Sequence, residues 1–217
     1  MVGPHELERE KTIAAQAAAR EVEAGMTVGL GTGSTVAYLL PVLAARDLDI
    51  VCVATSGETE AQARSLGLEV VPFRSLGRLD LAIDGADQVA PDGWLVKGGG
   101  GAHMREKVVA AAAERFLVIV SSGKLVETLG PPVPLELLDF GVEATCARIG
   151  QVALRGVPPS PDGNLVADYL GPVGDARALA ARLSAVPGVV EHGLFPPELV
   201  TEILVAYSGD VERRLVG

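Results

Sequence analysis

The chain has 217 residues, of which 48% are hydrophobic, 4% aromatic and 21% charged, so it can bury a substantial core and is not a disordered polymer. Eighteen basic against 28 acidic side chains leave a net charge of −10, which argues against nucleic acid and against an anionic membrane surface as partners. Two widely separated cysteines, Cys52 and Cys146, make no disulfide framework. The charged beginning and the lack of a long apolar run predict a soluble, cytoplasmic protein.

In chain order, Glu6–Glu23 is an Ala-rich helical stretch, Met26–Leu30 a short apolar strand and Ser34–Ala45 a helix after a Gly-rich turn. Ile50–Ala54 reads as a β-branched strand, Glu58–Leu66 as a helix, Glu69–Pro72 and Leu79–Ile83 as strands, and Trp94–Lys97 as an extended segment. Ala102–Glu114 is helical in pattern and Phe116–Val120 is a buried strand. Repeated strand–loop–helix units imply a parallel sheet with helices on both faces, whose ligands bind beyond the C-terminal ends of the strands. Composition shifts at Gly130-Pro131-Pro132. Beyond it, the pattern predicts a strand at Val133–Leu138, a helix at Val142–Leu154, a Pro-rich loop, a strand at Leu165–Leu170 and a helix at Asp175–Ala185. Strands near Val189–Leu194 and Val200–Ala206 follow. The expected organisation is an α/β domain over 1–130 plus 205–217, with a small α+β unit over 131–204.

Four segments carry candidate chemistry. Gly29-Leu-Gly-Thr-Gly-Ser-Thr35 lies between a strand and a helix; its glycines allow close backbone approach, and the helix start offers N–H groups and a positive dipole end. The alternative is a plain turn with a helix cap. A dinucleotide site wants an acidic residue at the end of the next strand, but Ile50–Ala54 runs into Thr55-Ser56-Gly57, which argues against NAD and S-adenosylmethionine. Leu81-Ala-Ile-Asp-Gly-Ala-Asp87 ends an apolar strand in two carboxylates suited to sugar hydroxyls, proton relay or a metal, or else to an Asx turn.

The third segment is Lys97-Gly-Gly-Gly-Gly-Ala-His-Met-Arg-Glu-Lys107. Its glycine run can form an anion nest, and Glu106 falls in the first turns of the following helix. A carboxylate near an ammonium and N–H donors suits proton abstraction beside a carbonyl, with the donors stabilising the enolate oxygen. The fourth, Phe116-Leu-Val-Ile-Val-Ser-Ser-Gly-Lys124, ends a buried strand in hydroxyls and one of only four lysines among 18 basic residues. The scattered histidines His5, His103 and His192 and the two cysteines have no metal-ligand spacing, so no metal is expected.

Together these segments resemble the ribose-5-phosphate isomerases of the A type. The matching pieces are Thr32-Gly-Ser-Thr35, Asp84-Gly-Ala-Asp87, Lys97-Gly-Gly-Gly100 with Arg105-Glu-Lys107, and Ser122-Gly-Lys124. Pro134-Leu-Glu136, Asp162-Gly-Asn164 and the stretch Pro187–Phe195 extend the likeness to nearly the whole chain. The resemblance implies a Rossmann-like catalytic domain with a smaller α+β, ferredoxin-like lid domain, forming a homodimer or homotetramer. It implies interconversion of D-ribose 5-phosphate and D-ribulose 5-phosphate without a cofactor.

Carried over residue by residue, the resemblance makes Glu106 the general base and Lys97, with Gly98, Gly99 and Gly100, the stabiliser of a cis-enediolate. Asp84 and Asp87, with Gly85 and Ala86 between them, hold sugar hydroxyls and assist ring opening and oxygen protonation. Thr32, Gly33, Ser34, Thr35 and Lys124 bind the substrate and its phosphate end, joined by Lys11. Departures from the family pattern are Gln88 in place of Glu, Met104 in place of Thr, Gly101 and His103 in place of Ala and Leu, and a shortened loop at Pro158–Pro161. The competing readings are a sugar-phosphate-binding sensor and a nucleotide-dependent transferase on the same fold.

Overall fold

The computed structural model describes residues 4–216. Helix α1 (Pro4–Ala19) presents Ala14, Ala15, Ala18 and Ala19 as a fully buried face of small side chains, so it packs closely on its neighbours. Strand β1 (Thr27–Leu30) leads through the Gly-rich turn into α2 (Ser34–Ala44), and β2 (Val51–Ala54) into α3 (Gly57–Ser65). Ser56 caps α3 by accepting from the Thr59 N–H. Then come β3 (Glu69–Val70), β4 (Leu79–Asp84), β5 (Gln88–Val89), β6 (Leu95–Val96), α4 (His103–Ala112) and the long β7 (Ala113–Ser121).

The chain continues with β8 (Val133–Leu137), α5 (Val142–Ile149), β9 (Val152–Leu154), β10 (Leu165–Tyr169) and α6 (Ala176–Ser184). It ends with β11 (Val189–His192), β12 (Leu194–Phe195), β13 (Glu202–Ala206) and β14 (Val211–Leu215).

Contacts divide the chain into two units. The first, 1–86 with 105–125 and 197–217, holds a seven-stranded sheet in the order β14-β13-β7-β4-β1-β2-β3. Every pairing in it is parallel except β13 with β14. Its core gathers Leu30, Leu39, Leu40, Leu81, Ile83 and Ile119 between sheet and helices. After β1 the chain builds outward through β2 and β3, then returns to place β4 on β1's other side. The strand order therefore reverses between β1 and β4, and the C-terminal ends of such a reversal form a crevice for ligands.

The second unit, 87–104 with 126–196, contains the antiparallel sheet β11-β8-β10-β9 and the small antiparallel set β12-β6-β5. Val133, Leu135, Leu137, Leu179 and Leu183 form its core with Trp94. Glu136 is fully buried on β8, and its Oε1 accepts from Ser160 Oγ at 2.6 Å and Asn164 Nδ2 at 2.8 Å. That contact joins the Pro134-Leu-Glu136 and Asp162-Gly-Asn164 motifs. Residues 87–104 group with this unit because β6 pairs with β12, whereas a cut at 130 places them in the first.

The α/β class and the smaller antiparallel unit agree with the sequence reading. Several segments differ from it. The helix expected over Val142–Leu154 stops at Ile149, where Gly150 at φ 72° and Gln151 at φ 51° turn the chain into β9. The first helix ends at Ala19 rather than Glu23. Strand β14 lies outside the expected elements; its partly to fully exposed residues, among them charged Glu212, Arg213 and Arg214, mark a sheet edge.

Candidate active site

In the first unit the site begins at the strand reversal. Asp84 ends β4 and is only 3% exposed, and its Oδ1 accepts from the Thr32 N–H at 3.2 Å and the Gly85 N–H at 2.7 Å. Gly31 is required beside it: a Cβ there would lie 1.9 Å from the Asp84 carboxylate. The Gly31 N–H also donates to the Ile83 carbonyl, which continues the β1–β4 pairing into the loop.

Gly33 sits at φ 123° before α2, and no side chain caps that helix. Gly33 and Ser34 are exposed, while Thr32 Oγ1 bonds Thr55 Oγ1 at 2.8 Å. Gly85 faces Thr35, whose hydroxyl lies about 4.0 Å from a Cβ built on the glycine. The Gly-rich loop and the Asp84 segment are thus one constellation, built at the ends of adjacent strands.

The Ser122–Lys124 turn follows β7 and is fastened by a residue the motifs did not reveal. Glu10 on α1 is buried, and its carboxylate accepts from the Ser122 N–H at 2.9 Å and from the Ser122 hydroxyl. Leu7 of the same helix lies against Gly123. Lys124 is half-buried on this turn. Lys11, on the same helix, is paired with Glu8 at 2.7 Å. Nothing in the sequence distinguishes Glu10 from the other carboxylates of this charged helix.

Glu106 lies in the first turn of α4 and is 3% exposed, a burial rarely given to a carboxylate that only solvates a surface. Val109, one turn further on, packs so tightly over β1 that a Cβ on Gly29 would meet it at 2.4 Å. The glycine therefore sets how closely α4 lies on the sheet.

In the second unit Lys97 follows β6 and is 2% exposed. Its N–H donates to the Gly193 carbonyl at 2.8 Å, and its ammonium lies 5.3 Å from the Phe195 ring centroid. Gly193 is obligatory there, because a Cβ would come within 2.1 Å of the Lys97 carbonyl oxygen. Gly98 at φ 101° packs against the fully buried ring of His103, which is a wall of the loop. Asp87 is held by its N–H to the Val96 carbonyl, 2.8 Å, and its Oδ2 accepts from the Gly99 N–H at 2.8 Å. Gly99 and Gly100 are exposed.

Gln88 uses both ends of its amide on Gly130, accepting from the N–H and donating to the carbonyl, each at 2.8 Å. A glutamate could not supply the second bond. The residues the resemblance singles out therefore fall in two sets. Asp84 and Glu106 belong to the first unit, and Asp87, Lys97 and Gly98–Gly100 to the second. The chain passes between units at Ala86–Asp87 and Met104–Arg105, and again at Leu125–Val126 and Pro196–Pro197.

Burial, aided by the Glu69 carboxylate, pushes the Cys52 thiol up to about 12. Among the described residues no group of three His, Cys, Asp or Glu side chains is placed to hold a metal ion, and no helix is long and apolar enough to cross a membrane.

Comparison with known proteins places this arrangement in a family. The family model described as ribose 5-phosphate isomerase A (phosphoriboisomerase A) matches residues 51–210. Ribose-5-phosphate isomerase A of Gluconobacter oxydans is 42% identical, over 94% of this chain and 95% of its own. The crystal structure of ribose 5 phosphate isomerase A from Neisseria gonorrhoeae superposes with a TM-score of 0.92 at 28% identity, covering 97% of this chain and 98% of that one. A D-ribose-5-phosphate isomerase solved in complex with phospho-erythronic acid gives a TM-score of 0.90 at 31% identity, covering 96% and 99%. With its motifs at the strand ends where this architecture keeps ligands, the chain belongs to the ribose 5-phosphate isomerase A family.

Proposed function

We infer that the chain interconverts D-ribose 5-phosphate and D-ribulose 5-phosphate by proton transfer through a cis-enediolate. Family membership carries the reaction. The observation that carries the site is the carboxylate of Asp84, held by backbone donors at the β1–β4 reversal.

In the open-chain aldose, Glu106 takes the proton from C2 as the C1 carbonyl oxygen gathers charge. The same carboxyl returns the proton to C1. The C2 hydroxyl loses its proton and O1 gains one, so the sum is a transfer of hydrogen within the substrate with nothing left over. Lys97 and the glycine N–H groups stabilise the charge that grows on oxygen. Asp84 and Asp87 hold hydroxyls and move the proton between oxygens and during ring opening. Thr32–Thr35, at the uncapped start of α2, and Lys124 take the phosphate, with donors from backbone, hydroxyl and ammonium. Lys11, one of whose three donors is on Glu8, joins that phosphate end. Action in the cytoplasm as a homodimer or homotetramer completes this reading.

The test is to incubate the purified chain with ribose 5-phosphate in excess EDTA, with no cofactor, and follow ribulose 5-phosphate. Rapid product formation is expected. Phospho-erythronic acid should compete, since its planar carboxylate distributes charge over two oxygens as the enediolate does. Saturable binding of ribose 5-phosphate without turnover would leave the sensor reading; no binding at all would return attention to nucleotide-dependent chemistry at the Gly-rich loop.

A further inference from the structure

We propose that Arg155, held by Asp168, is a positioning residue for the reaction: it fixes the glycine loop so that the Gly99 and Gly100 N–H groups face the Asp87 side. Arg155 follows β9 and lies on no motif that the sequence singles out. Its guanidinium is a two-sided clamp. On one side Nε and Nη2 donate to the two carboxylate oxygens of Asp168 on β10, at 2.8 and 2.6 Å. On the other, Nη1 donates to the carbonyls of both Gly98 and Gly99, each at 3.0 Å. The Arg155 side chain is 17% exposed and that of Asp168 20%, so the charged pair is partly shielded from water.

The consequence follows from peptide planarity. In a trans peptide the carbonyl of one residue and the N–H of the next point in opposite directions. Turning the Gly98 carbonyl toward Arg155 therefore turns the Gly99 N–H away from it, and that N–H donates to Asp87 Oδ2 at 2.8 Å. Turning the Gly99 carbonyl to the same nitrogen sends the Gly100 N–H to the same side as Asp87.

The cation, together with the Gly101 N–H that donates to the same Gly98 carbonyl at 3.0 Å, thus orients two successive donors, and the first of these holds the carboxylate of Asp87. Four glycines in a row have little intrinsic preference for such an arrangement, since each can adopt either sign of φ. Gly98 at φ 101° and Gly101 at φ 73° show how far the loop departs from ordinary backbone. Only a planar fork serves both partners at once, because a lysine ammonium cannot engage a carboxylate with two parallel bonds while also bridging two carbonyls. Asp168 offsets the charge of Arg155 and holds its plane. Residues 13 positions apart are paired here because β9 and β10 run antiparallel, with Asp168 opposite Ala153.

This inference rests on the isomerase reading, and one set of measurements separates the two. In Arg155→Ala, kcat for ribose 5-phosphate is expected to fall about 10- to 100-fold, less than the loss of a direct oxyanion donor. KM should stay within about threefold, because the phosphate ligands are untouched. Affinity for phospho-erythronic acid should fall about tenfold or more, while competition by inorganic phosphate is unchanged. Arg155→Lys should recover part of kcat, and Asp168→Asn should lower kcat less than Arg155→Ala does.

If Arg155→Ala does not fold, the same split of kcat from KM in Arg155→Lys and Asp168→Asn carries the test. A folded Arg155→Ala with kcat and phospho-erythronic acid affinity within twofold of the parent overturns the proposal. So does a loss of kcat, KM and phosphate affinity together in step with melting temperature. An inactive parent chain would instead overturn the isomerase reading itself.

Discussion

The two units hold their proposed catalytic groups by different means. In the first, Asp84 is the last residue of β4, and its place is set by strand register and by N–H donors from its own segment and the adjoining loop. In the second, Asp87 precedes one two-residue strand and the glycine loop follows another, and the loop is held by side chains far away in sequence, above all Arg155. A regular sheet needs little beyond its pattern to aim a residue at its edge. A glycine run needs partners, and those partners carry no motif.

That contrast can be broken on the first side by Gly31→Ala. The added methyl would sit 1.9 Å from the Asp84 carboxylate and force the side chain off its backbone donors. Turnover is expected to drop by about a hundredfold, the scale of an ångström-sized misplacement of a reacting group. The far-ultraviolet circular dichroism should be unchanged, since the clash is with one side chain. Near-normal turnover would mean that the register of β4 is not what positions Asp84.

The other end of the same strand sharpens the comparison with a smaller effect. Asp80 Oδ2 accepts from the Thr27 N–H at 2.7 Å and the Thr27 hydroxyl at 2.8 Å. The Thr27 backbone bond, helped by its hydroxyl and by the charge of Arg78, holds the Asp80 carboxyl below the usual aspartate range. A carboxyl whose pKa is depressed in the folded state stabilises the fold above its unfolded pKa, and the contribution is lost as pH falls through the folded value. Asp80→Asn should therefore lower stability at neutral pH by about 1 kcal/mol, the net worth of such a bond. The difference from the parent should close in acid, below the ordinary aspartate range. Because Asp80 is at the N-terminal end of β4, kcat should not change. Melting temperatures measured across pH, beside turnover at neutral pH, check both halves of this expectation.

The sequence displays the first unit more fully than the second, for the same physical reason. Buried parallel strands such as Phe116–Val120 are continuous apolar runs, and the Asp84 segment follows the shorter run Leu81–Ile83. Lys97, the glycine run and Glu106 are legible as a group because glycines in series and a rare lysine are unusual in composition. By contrast β9 reads in sequence as the end of a helix, since Val152–Leu154 continues the apolar pattern of α5 and the positive φ of Gly150 and Gln151 makes the turn. The missed residues Glu10, Arg155 and Asp168 are ordinary surface types. Their importance comes from what the fold brings to them: Ser122 to Glu10, and two glycine carbonyls to Arg155. Glu136 was visible within a motif, yet its bonds to Ser160 and Asn164 depend on a hairpin that spacing does not specify.

The central claim is that Glu106 moves the proton between C2 and C1, and Glu106→Gln tests it most directly. The amide keeps the size and burial of the side chain but removes the base. If the claim holds, kcat for ribose 5-phosphate falls by about 10²–10⁴-fold, the usual range for a general base, while phospho-erythronic acid still binds within a few-fold of the parent. Turnover near that of the parent, in a folded Glu106→Gln variant that binds phospho-erythronic acid, would contradict it and remove Glu106 as the base.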